Sequence, residues 1–172
     1  YFWEDTENRF VPLSKGGVDS WLLPKIKNGI LWEEKGREVR RYPGGNGTPS
    51  EEFYFKKGMT FNRVKESGKR FGYLQSDSIF GDKAPVMFPE KNIWSILSYT
   101  NSSLFTYLML SQTTGRMWEA GQVAKIPWKE ILENEKIINL SQEAVGYIIS
   151  KRQHDFNSPY YNGSVLLATL GE

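Results

Sequence analysis

Residues 58–85, GMTFNRVKESGKRFGYLQSDSIFGDKAP, decide how the chain is read. Apolar Phe61, Val64, Phe71 and Leu74 alternate between glycine turns with Arg63, Lys65, Lys69, Arg70, Tyr73 and Gln75. That is the pattern of strands with one face on a core and the other at or near a surface. Asp77, Ser78 and Lys83 extend the polar series. Between Phe55 and Lys91 there are eight basic and four acidic side chains, a net of +4, whereas the whole chain carries +2. Positive charge is concentrated in this window. Such a surface suits nucleic acid, although a basic hairpin face that is merely solvated has the same composition.

Working outward, the first 90 residues read as β-rich. Arg9 to Leu13 forms a strand running into the turn Ser14-Lys15-Gly16-Gly17, whose backbone N–H groups beside a lysine suit a phosphate oxygen as well as a plain turn. Ile30 to Trp32 reads as a strand, Glu33 to Gly36 as a turn, and Glu38 to Tyr42 as a short helix or returning strand with Arg37, Arg40 and Arg41 exposed. Residues 43–49, PGGNGTP, form a loop. Strands are expected again at Phe53–Phe55, Met59–Val64, Arg70–Gln75 and Val86–Phe88.

After about Glu90 the period changes. Ile93, Trp94, Leu97, Leu104, Phe105 and Leu108 recur at helical spacing, predicting an amphipathic helix over about 91–110 with a break near Asn101. A strand-like exit from Glu119 to Trp128 is closed by Pro127, and a short helix follows to Asn134. Ser141 is the expected N-cap of a longer helix from Gln142 to Asp155. The fold class is α+β, a β-rich part packed on a helical part. Residues 1–128 form the main domain and 129–172 a helical extension or spacer.

At 172 residues the chain can bury a core without staples. It has no cysteine and one histidine, His154, which excludes disulfides, cysteine zinc sites, thiol catalysis and multi-histidine metal sites. No stretch approaches the roughly 20 apolar residues that span a bilayer. The expectation is a soluble, cytoplasmic protein. Opening on Tyr-Phe-Trp and ending in an apolar run before Leu170-Gly171-Glu172, it reads as a segment of a longer polypeptide.

Catalytic constellations are sparse. His154 lies on the polar side of a helix end, and Gly44-Gly45-Asn46-Gly47 has no following helix to hold a phosphate. Asn157-Ser158-Pro159-Tyr160 differs by one residue from the Asn-Pro-Pro-Tyr that clasps a flipped adenine in amino-methyltransferases, without a cofactor loop upstream. Asp19, Glu33 and Lys35 match the acid and Glu-x-Lys of metal-dependent nucleases, where two carboxylates hold a divalent ion and the lysine steadies the attacking water. Exposed charges in a turn have the same pattern.

Several stretches, in order, resemble a known family: Arg9 to Gly17, Phe53 to Phe61, Gly72 to Pro85, Ile93 to Tyr107, and Gly121 to Pro127. Together they are similar to the target-recognition domains that follow the catalytic domain in the BREX phage-defence methyltransferase and in related type IIL and IIG restriction–modification enzymes. The resemblance covers roughly Arg9 to Trp128. It departs from many relatives at Asn62-Arg63-Val64, where they carry Pro-Arg-Arg.

The resemblance implies that the parent enzyme moves a methyl group from S-adenosylmethionine to the exocyclic amine of adenine in a specific duplex sequence. Its catalytic and cofactor-binding residues would lie upstream, so none is expected in this piece, which would choose the sequence. The implied partners are double-stranded DNA, the catalytic domain of the same polypeptide and other defence-system subunits. Lys15, Lys65, Lys69 and Lys83 would hold phosphates, Arg63 or Arg70 would read guanine, Gln75 adenine and Asp77 the cytosine amino group, with Tyr73 and Ser78 on the same face. A protein-docking domain and the Asp19/Glu33/Lys35 nuclease are the alternatives.

Overall fold

The computed structural model describes residues 2–5, 7–16, 21–45, 47–66 and 69–162. The chain is α+β: both small sheets lie in the first 90 residues, together with one short helix and two 3-10 turns, and the longer helical part follows. One sheet joins β1 (Phe10–Ser14), β2 (Asn28–Leu31) and β5 (Ile79–Phe80) in the order β2-β1-β5, with β1 and β5 parallel. The second joins β3 (Gly58–Phe61), β4 (Phe71–Leu74) and β6 (Val86–Met87) in the order β4-β3-β6, all antiparallel. Leu22 links to the outer edge of β4, its N–H donating to Phe71 O and its carbonyl accepting from Tyr73 N, both at 2.8 Å.

Every residue of β3 and β4 is buried, which the alternating pattern does not anticipate. Both faces of the hairpin are covered, as in sheets packed on two sides. Helix α2 (Ile93–Thr100) lies against it, and the ring of Trp94 meets that of Tyr73 at 4.6 Å. Phe71 touches Phe61, Phe105 and Trp118 at ring separations of 5.1 to 6.1 Å. Burying side chains of this size stabilises by about 1.5–3 kcal/mol each.

The helix expected over 91–110 is interrupted near Asn101, as its sequence indicates, and so forms two. α2 ends at Thr100 and α3 spans Ser103–Leu110, each opened by a side-chain cap, Asn92 accepting from Trp94 N and Ser95 N, and Ser102 from Phe105 N. The break at Asn101 has a purpose. Asn101 is buried; its amide oxygen accepts from Phe71 N at 3.2 Å, and its nitrogen donates to Phe71 O and Leu97 O at 3.0 Å. A side-chain amide thereby completes the edge of β4.

Some expectations need correction. The stretch Phe53–Phe55 is not a strand: Glu51–Phe53 is a 3-10 turn, with Phe55 at φ 59°. The exit after Glu119 contains one helical turn, α4 (Ala120–Val123). The last helix, α5 (Glu135–Arg152), starts earlier than expected, capped by Asn134. Ser141 is not its N-cap but a buried mid-helix residue, its hydroxyl donating to Ile137 O and Trp94 O. Val145 of α5 joins the same core as Met59 and Phe61. Arg152 donates to Leu23 O and Pro24 O at 2.9 and 2.6 Å, tying the end of α5 to the β-rich part. Among the described residues no helix is long and apolar enough to cross a membrane.

Candidate nucleic-acid interface

Arg70 organises one end of the molecule from within. It is 2% exposed, so it cannot reach a base and the expectation of a surface arginine is corrected. Its Nη2 donates to Lys65 O and Gly115 O at 3.0 and 3.1 Å, and its Nη1 makes longer contacts with Arg116 O and Asn62 O. The guanidinium also lies over the Trp118 ring. Burial lowers its pKa to about 10, so it remains a cation at neutral pH. One buried fork thus ties the loop after β3 to the loop after α3.

The two loops are also joined directly. Lys65 N donates to Arg116 O at 3.0 Å and Trp118 N to Arg63 O at 2.9 Å, around a bridge between Val64 and Met117. On this platform Arg63 pairs with Glu119: its Nε and Nη2 both donate to Oε1, at 3.0 and 2.7 Å. The two side chains are 41% and 45% exposed. Lys65 Nζ donates to Lys69 O, and Lys69 Nζ to Asn101 O. Arg116 is exposed.

Strand register brings Lys83 and Lys15 to the same end. Phe61 N donates to Pro85 O and the Thr60 hydroxyl to Ala84 O, so β6 begins where β3 ends. Gly81 N donates to Ser14 O, and Gly16 packs directly on Lys83 O. Lys15, Lys83 and Arg116 are exposed, and Arg63, Lys65 and Lys69 are half-buried. These cations come from four separate segments, after β1, between β3 and β4, between β5 and β6, and after α3.

The remaining sequence-predicted residues do not join them. Gly58 opposes Leu74 and Phe61 opposes Phe71, which puts Gln75, Asp77 and Ser78 beyond the opposite end of the hairpin, about 10 Å of strand away. Gln75 Oε1 accepts from the Tyr160 hydroxyl at 2.8 Å. Ser78 is buried and donates to Gln75 O, and Tyr73 is only 9% exposed, so neither is available to a duplex. Asp77 is exposed. Burial, with the charge of Asp77 second, raises the Tyr73 pKa.

For the nuclease alternative, Asp19 lies outside the described residues. Glu33 and Lys35 are exposed at the start of α1 (Glu33–Arg41), where Glu34, Lys35 and Gly36 form a left-handed turn. Among the described residues no group of three or more His, Asp or Glu side chains could hold a metal ion.

Arg116, Glu119, Gln112 and Gln122 escaped the sequence reading. Ser111, Gln112, Thr113, Thr114, Met117, Glu119 and Gln122 line an open depression of about 410 Å³ beside the platform. Only Gly115 preceding Arg116 signals a turn there; the pairing of the two loops is long-range. Compared with known proteins, the chain matches no family model, and no curated protein matches it.

Proposed function

We propose that the chain is the sequence-specific DNA-recognition module of a larger S-adenosylmethionine-dependent adenine methyltransferase, acting in phage defence or restriction–modification. The carrying observation is the gathering of Arg63, Lys65, Lys69 and Arg116 on two loops held by a buried arginine, with Lys15 and Lys83 brought to the same end by strand register. Cations spread over such an end follow a phosphate backbone, while the uncharged hydroxyls and amides between them suit base edges. The methyl-transfer context rests on the sequence resemblance, with the cofactor assigned to the catalytic domain of the parent enzyme.

The test is a salt titration of the chain with a pooled random duplex, followed by sequencing of the retained molecules. An enriched motif is expected, with log affinity falling against log salt at a slope of about −4 to −5 for four to six phosphate contacts. Lys15→Ala and Lys83→Ala should each reduce that slope by about one without altering the motif. Absence of binding at low salt would reject the proposal. A protein-docking role is favoured by one feature, the exposure of Leu104, Tyr107 and Leu110 along α3, and predicts partner binding that salt does not weaken.

A further inference from the structure

The inference rests on the DNA-recognition reading and concerns how one base is chosen. We propose that Glu119 holds Arg63 as a pre-set fork that reads a guanine edge in the duplex major groove.

An arginine has five N–H donors in a rigid plane. Glu119 engages Nε and Nη2 of Arg63 through a single carboxylate oxygen. Two N–H groups on Nη1 and one on Nη2 are left, and the outer pair points in parallel away from the carboxylate. Guanine offers O6 and N7 as matching acceptors in the major groove. The backbone beneath is also fixed, because Arg63 O accepts from Trp118 N and Arg70 clamps both loops. A fork already held loses little freedom on binding.

Charge decides between a base and a phosphate. A phosphate also accepts a bidentate arginine, but Glu119 offsets the guanidinium charge and repels an anion. The pair as a unit is neutral and retains its directed donors, which suits a neutral base edge. Its surroundings agree: the depression with Glu119 on its wall is otherwise lined by hydroxyls, amides and Met117. Lys15 and Lys83, exposed at the same end, are the phosphate contacts of this arrangement.

The experiment compares the motifs and salt slopes selected from random duplexes by the wild-type chain, Arg63→Lys, Glu119→Gln and Arg63→Ala. The wild type should enrich a motif containing a fixed guanine. Arg63→Lys keeps the charge but loses the fork, so preference at that position should fall about fivefold or more while the salt slope holds. Glu119→Gln should lower the preference there too, and bind all sequences more tightly with a slope steeper by about one, because an uncovered guanidinium turns to phosphate. A merely structural Glu119 would not steepen the slope. Both side chains are partly exposed, and thermal unfolding checks that the variants fold. An enriched motif that Glu119→Gln and Arg63→Lys leave unchanged overturns this inference alone. Uniform weakening by Arg63→Ala does the same. Failure of the wild type to bind or to enrich any motif overturns the DNA-recognition reading and this inference with it.

Discussion

The guanidinium carbon of Arg70 lies 3.7 Å from the centroid of the Trp118 ring, within a site where its Nη2 also holds the carbonyls of Lys65 and Gly115. A buried cation is tolerated where carbonyls and an aromatic face replace its water. What Arg70 contributes is the mutual position of two loops distant in sequence.

Arg70→Lys should therefore act on stability first. A compact ammonium on a flexible stem cannot reach carbonyls of both loops and also cover the ring. Urea unfolding should show a loss of about 2–4 kcal/mol, because buried carbonyls lose their donors. DNA affinity should fall for all sequences alike. A change of preference at a single base with stability intact would instead make Arg70 a reader.

Asn101 and Phe71 give a second structural test. Asn101→Ala removes the acceptor for Phe71 N and the donor for Phe71 O and Leu97 O, and should cost about 2–3 kcal/mol. Asn101→Asp keeps the shape but turns a carboxylate oxygen toward two buried carbonyls. It should be the worse of the two in denaturant unfolding at neutral pH, which separates the amide's directionality from its bulk.

Local pattern made the β3–β4 hairpin and the change to helices after residue 90 legible, because glycine turns and apolar spacing are local signals. The same pattern misled at Arg70 and Tyr73. Alternation tells which face a side chain shares with its neighbours, not whether a later helix covers that face. Here Trp94 covers Tyr73, and Trp118 and the loop after α3 cover Arg70. Ser141 misled for a related reason: a serine before an apolar run has the form of a cap, yet its hydroxyl serves the packing of α5 on α2. The Arg63–Glu119 pair was illegible because its members stand on different loops. Lys15 and Lys83 were legible as exposed cations, and the parallel pairing of β1 with β5 is what joins them.

Gly16 connects that pairing to the surface. Its φ is +74°, and a Cβ there would lie 2.3 Å from Lys83 O, a backbone atom that cannot swing aside. Gly16→Ala must move the turn carrying Lys15 away from the one carrying Lys83. A stability loss of about 1–3 kcal/mol is expected from the strained backbone. Weaker binding to every duplex with an unchanged motif should accompany it, measured by the same titration and sequencing.

Tyr160 gives a prediction in alkali. Burial pushes its pKa up to about 12, with the charge of Asp77 next and Arg152 pulling the other way. Above a pH of about 10 the unfolded phenol loses its proton while the folded one keeps it, so the folded chain binds the proton more tightly. The stability from this linkage is complete below pH about 10 and is lost as pH rises from about 10 to about 12. Tyr54, Tyr73 and Tyr99 are raised as well, each chiefly by burial, so the chain as a whole should weaken in this window. Tyr160→Phe isolates one share. At pH 8 it should cost about 1 kcal/mol, since Gln75 loses the hydroxyl donor. At pH 11.5 the wild type gives up about 2 kcal/mol through Tyr160 that the variant does not, so the difference should vanish or reverse. Urea midpoints of both proteins at the two pH values read this directly. An equal difference at both would mean that the phenol titrates alike in the folded and unfolded chain.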